Sequence, residues 1–209
     1  MRSSIMRMPF HCPKRILCAL LVLAASAQAQ TPPDPEFELP ADSGVPFLVM
    51  RATPSELVGA QARVLRVFAD GRCELERPPM MRGAGRYAWQ LPPGEVAVLA
   101  RQALTAGLAE LDVPALRASL AVAEARADGA IVNHHHLDGD IVEFELRLDR
   151  FRGRSGIAQH RLERRLRFIG LRAIRERHPT DARVRRLSEL RGSLDAMARS
   201  RAPVPDPAR

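Results

Sequence analysis

The sequence predicts an α+β fold, in which an antiparallel β-sheet built from hairpins carries helices packed on one face. Three observations predict it. Two long segments alternate apolar and charged residues, Val142 to Asp149 and Arg161 to Phe168, which is the period of a strand with one buried face. An Asp70-Gly71 pair stands between two shorter apolar runs, a two-residue hairpin signal. Three other segments carry apolar residues three and four apart between helix start and stop signals.

The elements follow in order. Residues 1–29 read as a secretory signal peptide: Arg2, Arg7, Lys14 and Arg15, then an apolar or small run from Ile16 to Ala27, then the small-x-small site Ala27-Gln28-Ala29. The apolar run is too short for a membrane span of about 20 residues. Cleavage is therefore expected at Ala29-Gln30, and a periplasmic or secreted location with it. Residues 30–46 hold Pro32, Pro33, Pro35, Pro40 and Pro46 and read as an extended linker. Residues 47–200 form a single α+β domain, and residues 201–209, with Pro203, Pro205 and Pro207, a disordered tail.

Within the domain, Phe47 to Met50 is a short strand. A type I′ turn at Asp70-Gly71 pairs Phe68 with Cys73, Val67 with Glu74 and Arg66 with Leu75, which places Phe68, Val64, Cys73 and Leu75 on one face. Tyr87, Trp89 and Leu91 alternate in a third strand. Pro92-Pro93-Gly94-Glu95 opens a helix that Gly107 ends, with Val96, Leu99, Ala103 and Leu104 as its stripe. Asp112 caps a second helix from Pro114 to about Ala127, and Ala130 to Asn133 begins a strand. Leu171 to His178 makes one or two helical turns. Thr180 caps a last helix with Val184, Leu187, Leu190, Leu194 and Met197 inward and Asp181–Arg185, Arg185–Glu189 and Asp195–Arg199 paired on its surface.

Charge sets the register of the second hairpin. When paired residue numbers sum to 310, the outer face aligns Asp149–Arg161, Arg147–Glu163, Glu145–Arg165 and Glu143–Arg167, and the inner face Leu148–Leu162, Phe144–Leu166 and Val142–Phe168. A sum of 308 or 312 sets like charges opposite one another, which is unfavourable. Residues 152–158 are then the loop. Arg164 is a misfit on the apolar face and is expected to snorkel to solvent at a sheet edge.

Beyond the signal the chain holds 28 arginines, no lysine and 24 acids, a net of +4. The charge is uneven: residues 151–209 carry 16 arginines and 6 acids, residues 30–150 carry 12 and 18. Export argues against nucleic acid and leaves anionic lipid, polysaccharide or an acidic protein as partners. Intrachain acids answer many of these arginines, so the basic third reads as a solvated face. Cys73 is the lone cysteine after cleavage, so no intramolecular disulfide forms, and its strand position makes it a core residue.

Catalytic patterns are scarce. There is no Gly-x-Ser-x-Gly elbow, phosphate-binding glycine loop or His-Glu-x-x-His helix, and no cofactor is indicated. The unusual cluster is His134-His135-His136, followed by Asp138 and Asp140. His134 and His136 point the same way in an extended chain, and with Asp138 and Asp140 they make a candidate ligand set for zinc, copper or nickel. The competing reading is a polar strand end and turn.

The succession of Asp70-Gly71-Arg72, Leu91-Pro92-Pro93-Gly94-Glu95 and Glu145-Leu146-Arg147-Leu148-Asp149-Arg150 resembles an uncharacterised family of exported proteobacterial proteins, over most of residues 60–198. The resemblance implies no activity. More loosely, the order of hairpin, helix and second hairpin is similar to emfourin-type inhibitors of metalloproteases, from which the second central helix and the C-terminal helix depart. The expected function is a non-enzymatic binding or envelope-maintenance module, with an envelope protein or protease as its partner. Two alternatives stand beside it. One is a protease inhibitor acting through the loop 78–86, with Met80, Met81 and flexible glycines. The other is a metal-binding protein or metal-dependent enzyme using the His134–His136 run.

Overall fold

A computed structural model describes residues 35–54, 61–128 (125–128 as backbone alone), 139–153 and 155–201. Among these residues, seven antiparallel strands and four helices make an α+β fold. The strands are β1 (Glu36–Glu38), β2 (Pro46–Thr53), β3 (Arg63–Phe68), β4 (Arg72–Arg77), β5 (Gly85–Gln90), β6 (Ile141–Arg152) and β7 (Ala158–Ile169). The helices are α1 (Pro93–Thr105), α2 (Val113–Asp128), α3 (Leu171–Arg177) and α4 (Ala182–Arg201). Across the sheet the order is β7, β6, β2, β3, β4, β5, and β1 pairs with the far end of β6 beyond β2.

Alternation along each strand puts one row of apolar side chains after another on the inner face. One such row runs Leu166, Phe144, Met50, Leu65, Leu75, Tyr87 across all six strands. The next runs Arg164, Leu146, Leu48, Val67, Cys73, Trp89. Val96, Leu99 and Ala103 of α1, Leu116 and Leu120 of α2, Leu171 of α3, and Val184, Leu187, Leu190 and Leu194 of α4 join these rows in one core. Three polar contacts fasten α4 to the sheet and its edges: Arg63 to Asp195, Arg191 to Asp140, and Arg77 Nη2, which donates to the Ala198 carbonyl at 3.4 Å.

The second hairpin has the register that its charges select. Eleven pairs between β6 and β7 all sum to 310. Arg147–Glu163 at 3.1 Å, Arg165–Glu145 at 2.5 Å and Arg167–Glu143 at 3.4 Å are ion pairs. The fourth expected pair does not form. Arg161 takes a left-handed φ of 52°, and Asp149 instead accepts the Ala41 N–H at 2.8 Å. The strands extend to Arg152 and Ala158, so the connection is shorter than the expected 152–158.

The first hairpin is off by one residue from the expectation. Val67 faces Cys73, Arg66 faces Glu74 and Leu65 faces Leu75. The connection has three residues. Gly71 donates to the Phe68 carbonyl at 3.0 Å and carries a φ of 91°, the pattern of a turn closed by a left-handed glycine rather than a type I′ pair. Cys73 is core as expected, but Val64 and Phe68 lie on the opposite face from it.

Other differences have local causes. Arg164 is half-buried on edge strand β7: its Nη2 donates to the Leu111 carbonyl at 3.0 Å, beneath the α1–α2 connection, a partner the local pattern does not show. The last helix is capped by Asp181, not Thr180, with Oδ1 accepting from Arg183 N at 2.9 Å and Val184 N at 3.2 Å. Asp181 pairs with Arg183, and Asp195 with Arg63 and Arg191, in place of the expected Asp181–Arg185 and Asp195–Arg199. Arg185–Glu189 forms, at 3.8 Å. Glu36 to Glu38, inside the segment read as linker, adds β1 to the sheet, with Phe37 opposite Phe151.

The remaining helix signals act as expected. Gly107, at φ 89°, ends α1 with the two bonds of a Schellman motif: Gly107 N to Leu104 O at 2.9 Å and Leu108 N to Ala103 O at 3.1 Å. Asp112 Oδ1 caps α2 through Ala115 N at 3.0 Å. No helix among the described residues is long and apolar enough to cross a membrane.

Burial pushes the Cys73 thiol up to about 12, with Asp70 adding to the effect. Its thiolate fraction at neutral pH is then vanishingly small, and a buried thiol offers no path to reagent. Native protein is expected to leave Cys73 unmodified by a maleimide over hours and to label within minutes in denaturant. Rapid native labelling would show that β4 is not packed as described.

Candidate outer-face arginine site

All four helices contribute to the core on one side of the sheet, and the described residues put no helix on the other. That outer face is a lattice of arginine and glutamate over a small apolar floor. Strand alternation explains it: the residues between the inner-row positions are Arg51, Arg66, Glu74, Glu143, Glu145, Arg147, Arg165 and Arg167. Val49 and Phe68 are buried in the floor yet stand apart from the helical core. The Arg72 guanidinium lies 3.6 Å from the centre of the Phe68 ring, a cation–π contact that also hides the ring from water.

Glu145 is the centre of the lattice. Its side chain is 2% exposed, and three guanidinium groups share it: Arg51 from β2, Arg147 at 3.2 Å along its own strand, and Arg165 at 2.5 Å from β7. Burial pushes the carboxyl up, but the hydrogen bonds and charges of Arg51 and Arg165 outweigh it and hold the group below the ordinary carboxylate range. It is therefore a fixed anion, unsuited to deliver a proton at neutral pH. Glu163 takes a share of Arg147, so two carboxylates answer these three cations, a local excess of one positive charge.

Beside Glu145 the face sinks into an open depression of about 500 Å³. Arg51, Arg66, Arg72 and Arg147 rim it against only Glu74 and Glu145, with Val49 and Phe68 below. Arg72 is anchored at both ends of its fork, on Glu74 and on the Ser43 carbonyl at 2.8 Å. Arg66 reaches Glu76 at 3.6 Å. These residues supply guanidinium forks, carboxylates and an apolar floor, which is the chemistry of ion recognition. Planar forks match carboxylate, sulfate and phosphate groups bidentately.

The residues singled out from the sequence fall elsewhere. His134, His136 and Asp138 lie outside the described residues. Asp140 is described: its carboxylate accepts from Arg191 and its carbonyl accepts the Gly170 N–H at 2.9 Å, so it serves to join β6, α3 and α4. In the loop 78–86, Met80 is 82% exposed. A turn with Met81 N donating to Pro78 O at 2.9 Å and a bond from Tyr87 Oη to Gly83 O at 2.9 Å shape that loop. In sequence, the hairpin partner Arg165 is enough to explain Glu145 as strand surface. The missed signal was Arg51, which only the β2–β6 pairing brings to it.

Comparison with known family models, curated proteins and solved structures finds no match.

The two acids held low make a prediction. The Glu145 carboxyl lies below its ordinary value, and Arg183, with the Val184 and Arg183 backbone N–H groups, pulls Asp181 down to about 2. A depressed folded pKa adds stability that is complete above the unfolded value, near 4, and is lost as pH falls through the folded one. The urea midpoint should therefore fall from about pH 4.5 toward pH 2. Glu145→Gln should flatten part of that decline and cost about 1 kcal/mol at pH 7, since its arginines retain access to water. An unchanged pH profile in the variant would remove Glu145 from this role.

Proposed function

We propose that this chain is exported, cleaved near Ala29-Gln30, and acts in the periplasm or outside the cell as a non-enzymatic binding module whose outer sheet face takes an acidic partner. The observation that carries the reading is the depression rimmed by Arg51, Arg66, Arg72 and Arg147 beside a buried Glu145 that is outnumbered by its cations. Export is supported by the basic start, apolar run and Ala27-Gln28-Ala29 site of the sequence. A face of guanidinium forks that no described helix covers, on a rigid sheet, suits a repeated anion, such as the carboxylates of an acidic polysaccharide or protein.

Polygalacturonate is a suitable probe, titrated calorimetrically at about 0.15 M salt, where surface charge alone is largely screened. The native protein should bind, and Arg66→Ser with Arg72→Ser should weaken binding at least about tenfold, a 1.4 kcal/mol change. Arg172→Ser with Arg186→Ser, on the helix side, should leave it unchanged. Absence of binding, or an equal loss in the helix-side variant, would end the reading.

A second reading rests on Met80. An apolar side chain 82% exposed on a loop braced by its own turn and by Tyr87 is a form that protease-inhibiting loops take. Here, Met80→Asp should abolish inhibition of a secreted metalloprotease. Turnover that the native protein leaves unaltered, across a set of such proteases, would dispose of it. The metal reading gains nothing from Asp140, whose carboxylate is engaged by Arg191.

A further inference from the structure

The two edges of the sheet are built differently. At β7 the chain carries Arg161, Arg164, Arg165 and Arg167, breaks its ladder where Arg161 turns left-handed, and receives Arg117 of α2 on the Arg167 carbonyl at 3.3 Å. Charge, irregularity and cover are the devices by which proteins keep an edge strand from pairing. At β5 the described residues show one charge and no break in the ladder. Gly85 to Gln90 is regular against β4 from end to end, has Arg86 as its single charge, and no proline.

The phase of the β4–β5 ladder shows which groups this edge presents. Leu91 N donates to Gly71 O at 2.8 Å, so Gly71–Leu91 is a hydrogen-bonded pair, and Cys73–Trp89 and Leu75–Tyr87 follow it at intervals of two. The N–H and C=O groups of Trp89 and Tyr87 thus point to β4. Those of Arg86, Ala88 and Gln90 point away from the sheet, along the open edge.

We propose that this edge pairs with β5 of a second copy of the chain, antiparallel about Ala88, to give one continuous sheet. That register sets Ala88 against Ala88 of the second copy and Arg86 against Gln90 at either side, and each of these pairs exchanges both of its outward N–H···O bonds. It is the register that uses all three outward residues. A shift that centres on Arg86 sets arginine against arginine, and one that centres on Gln90 runs into Pro92, which has no N–H. On the inner face the same register places Tyr87 opposite Trp89 of the second copy, twice, at the closer, non-hydrogen-bonded positions where aromatic pairs meet. Inner residues meet inner residues, so both arginine-rimmed depressions open on the same side, and a polyanion spanning them gains by bivalency. The pairing itself does not depend on the depression binding anything.

Ala88 is exposed on the outer face, and its backbone is not used by β4, so a substitution there leaves the fold intact. Sedimentation equilibrium of the native protein at concentrations up to about 1 mM should show a monomer–dimer equilibrium. Ala88→Lys and Ala88→Glu, each alone, place like charges across the two-fold axis and should shift the protein to monomer. Mixed one to one, they should restore a dimer of one copy of each. A native protein that stays monomeric over that range overturns the proposal. So does a dimer that survives both substitutions, which would lie on another surface, and so does a mixture that fails to reassociate. An extended peptide that binds the edge while the native protein remains monomeric would likewise assign the edge to a different occupant.

Discussion

Phe144→Ala should lower stability by about 4 kcal/mol, the range for emptying a large buried aromatic site. Phe144 is completely buried in β6, between Met50 of β2 and Leu166 of β7. Its ring meets the Phe168 ring edge-on, with centroids 6.5 Å apart and planes at 64°. The strands on either side are held by main-chain ladders and cannot close around the lost volume, so the cavity cost adds to the lost transfer energy. For a domain of this length the effect corresponds to a fall in Tm of roughly 10 °C. Val98→Ala is the contrast: Val98 is 53% exposed on α1, and its truncation should stay within about 0.5 kcal/mol. Comparable losses in the two variants would mean that the six-strand inner row does not organise the core.

Phe144 also shows what sequence could specify. Alternation alone gives its face, and charge on the opposite face gives its partner, because Glu143, Glu145 and Arg147 each find an opposite charge in a single register. The neighbouring strands were not accessible in that way. Nothing in β2 declares that it will lie against β6, yet that pairing brings Arg51 to Glu145 and makes a hairpin surface into a site. Helix ends tell a similar story. Gly107 and Asp112 act through residues a few places away and were legible. Thr180 lost its place to Asp181, a stronger cap one residue on. Asp195 has an arginine four residues away in either direction, but α4 turns it toward the sheet, where Arg63 and Arg191 hold it. Arg164 read as a residue seeking water because the Leu111 carbonyl beneath the α1–α2 connection has no trace in the local pattern. Contacts within about five residues follow from spacing, and contacts between elements follow from topology, which charge complementarity exposes only where it is dense.

The first hairpin is where turn chemistry misled by one residue, and it supports the second large effect. Gly71→Ala should cost about 3 kcal/mol, through a left-handed backbone that alanine resists and through a clash with backbone that cannot move aside. At φ 91° a Cβ on Gly71 would stand 2.4 Å from the Leu91 carbonyl oxygen and 2.8 Å from Gln90 Nε2. The same two residues seat β5 on this turn: Leu91 N donates to Gly71 O at 2.8 Å, and Gln90 Nε2 donates to Asp70 O at 2.5 Å. Gly192→Ala in α4, where a Cβ meets nothing within 4 Å, should instead stabilise by up to about 1 kcal/mol. A further substitution separates the two turn types. A type I′ turn needs positive φ at both central residues, so Asp70→Gly would relieve strain there. In the three-residue connection Asp70 is not among the residues with positive φ, and its Oδ1 accepts the Arg72 N–H at 2.9 Å. Asp70→Gly should then destabilise by about 1 kcal/mol, from the lost hydrogen bond and the freer unfolded chain. Urea denaturation of the three variants reads all of this in one experiment, and a stabilised Asp70→Gly would return the hairpin to the register in which Phe68 faces Cys73.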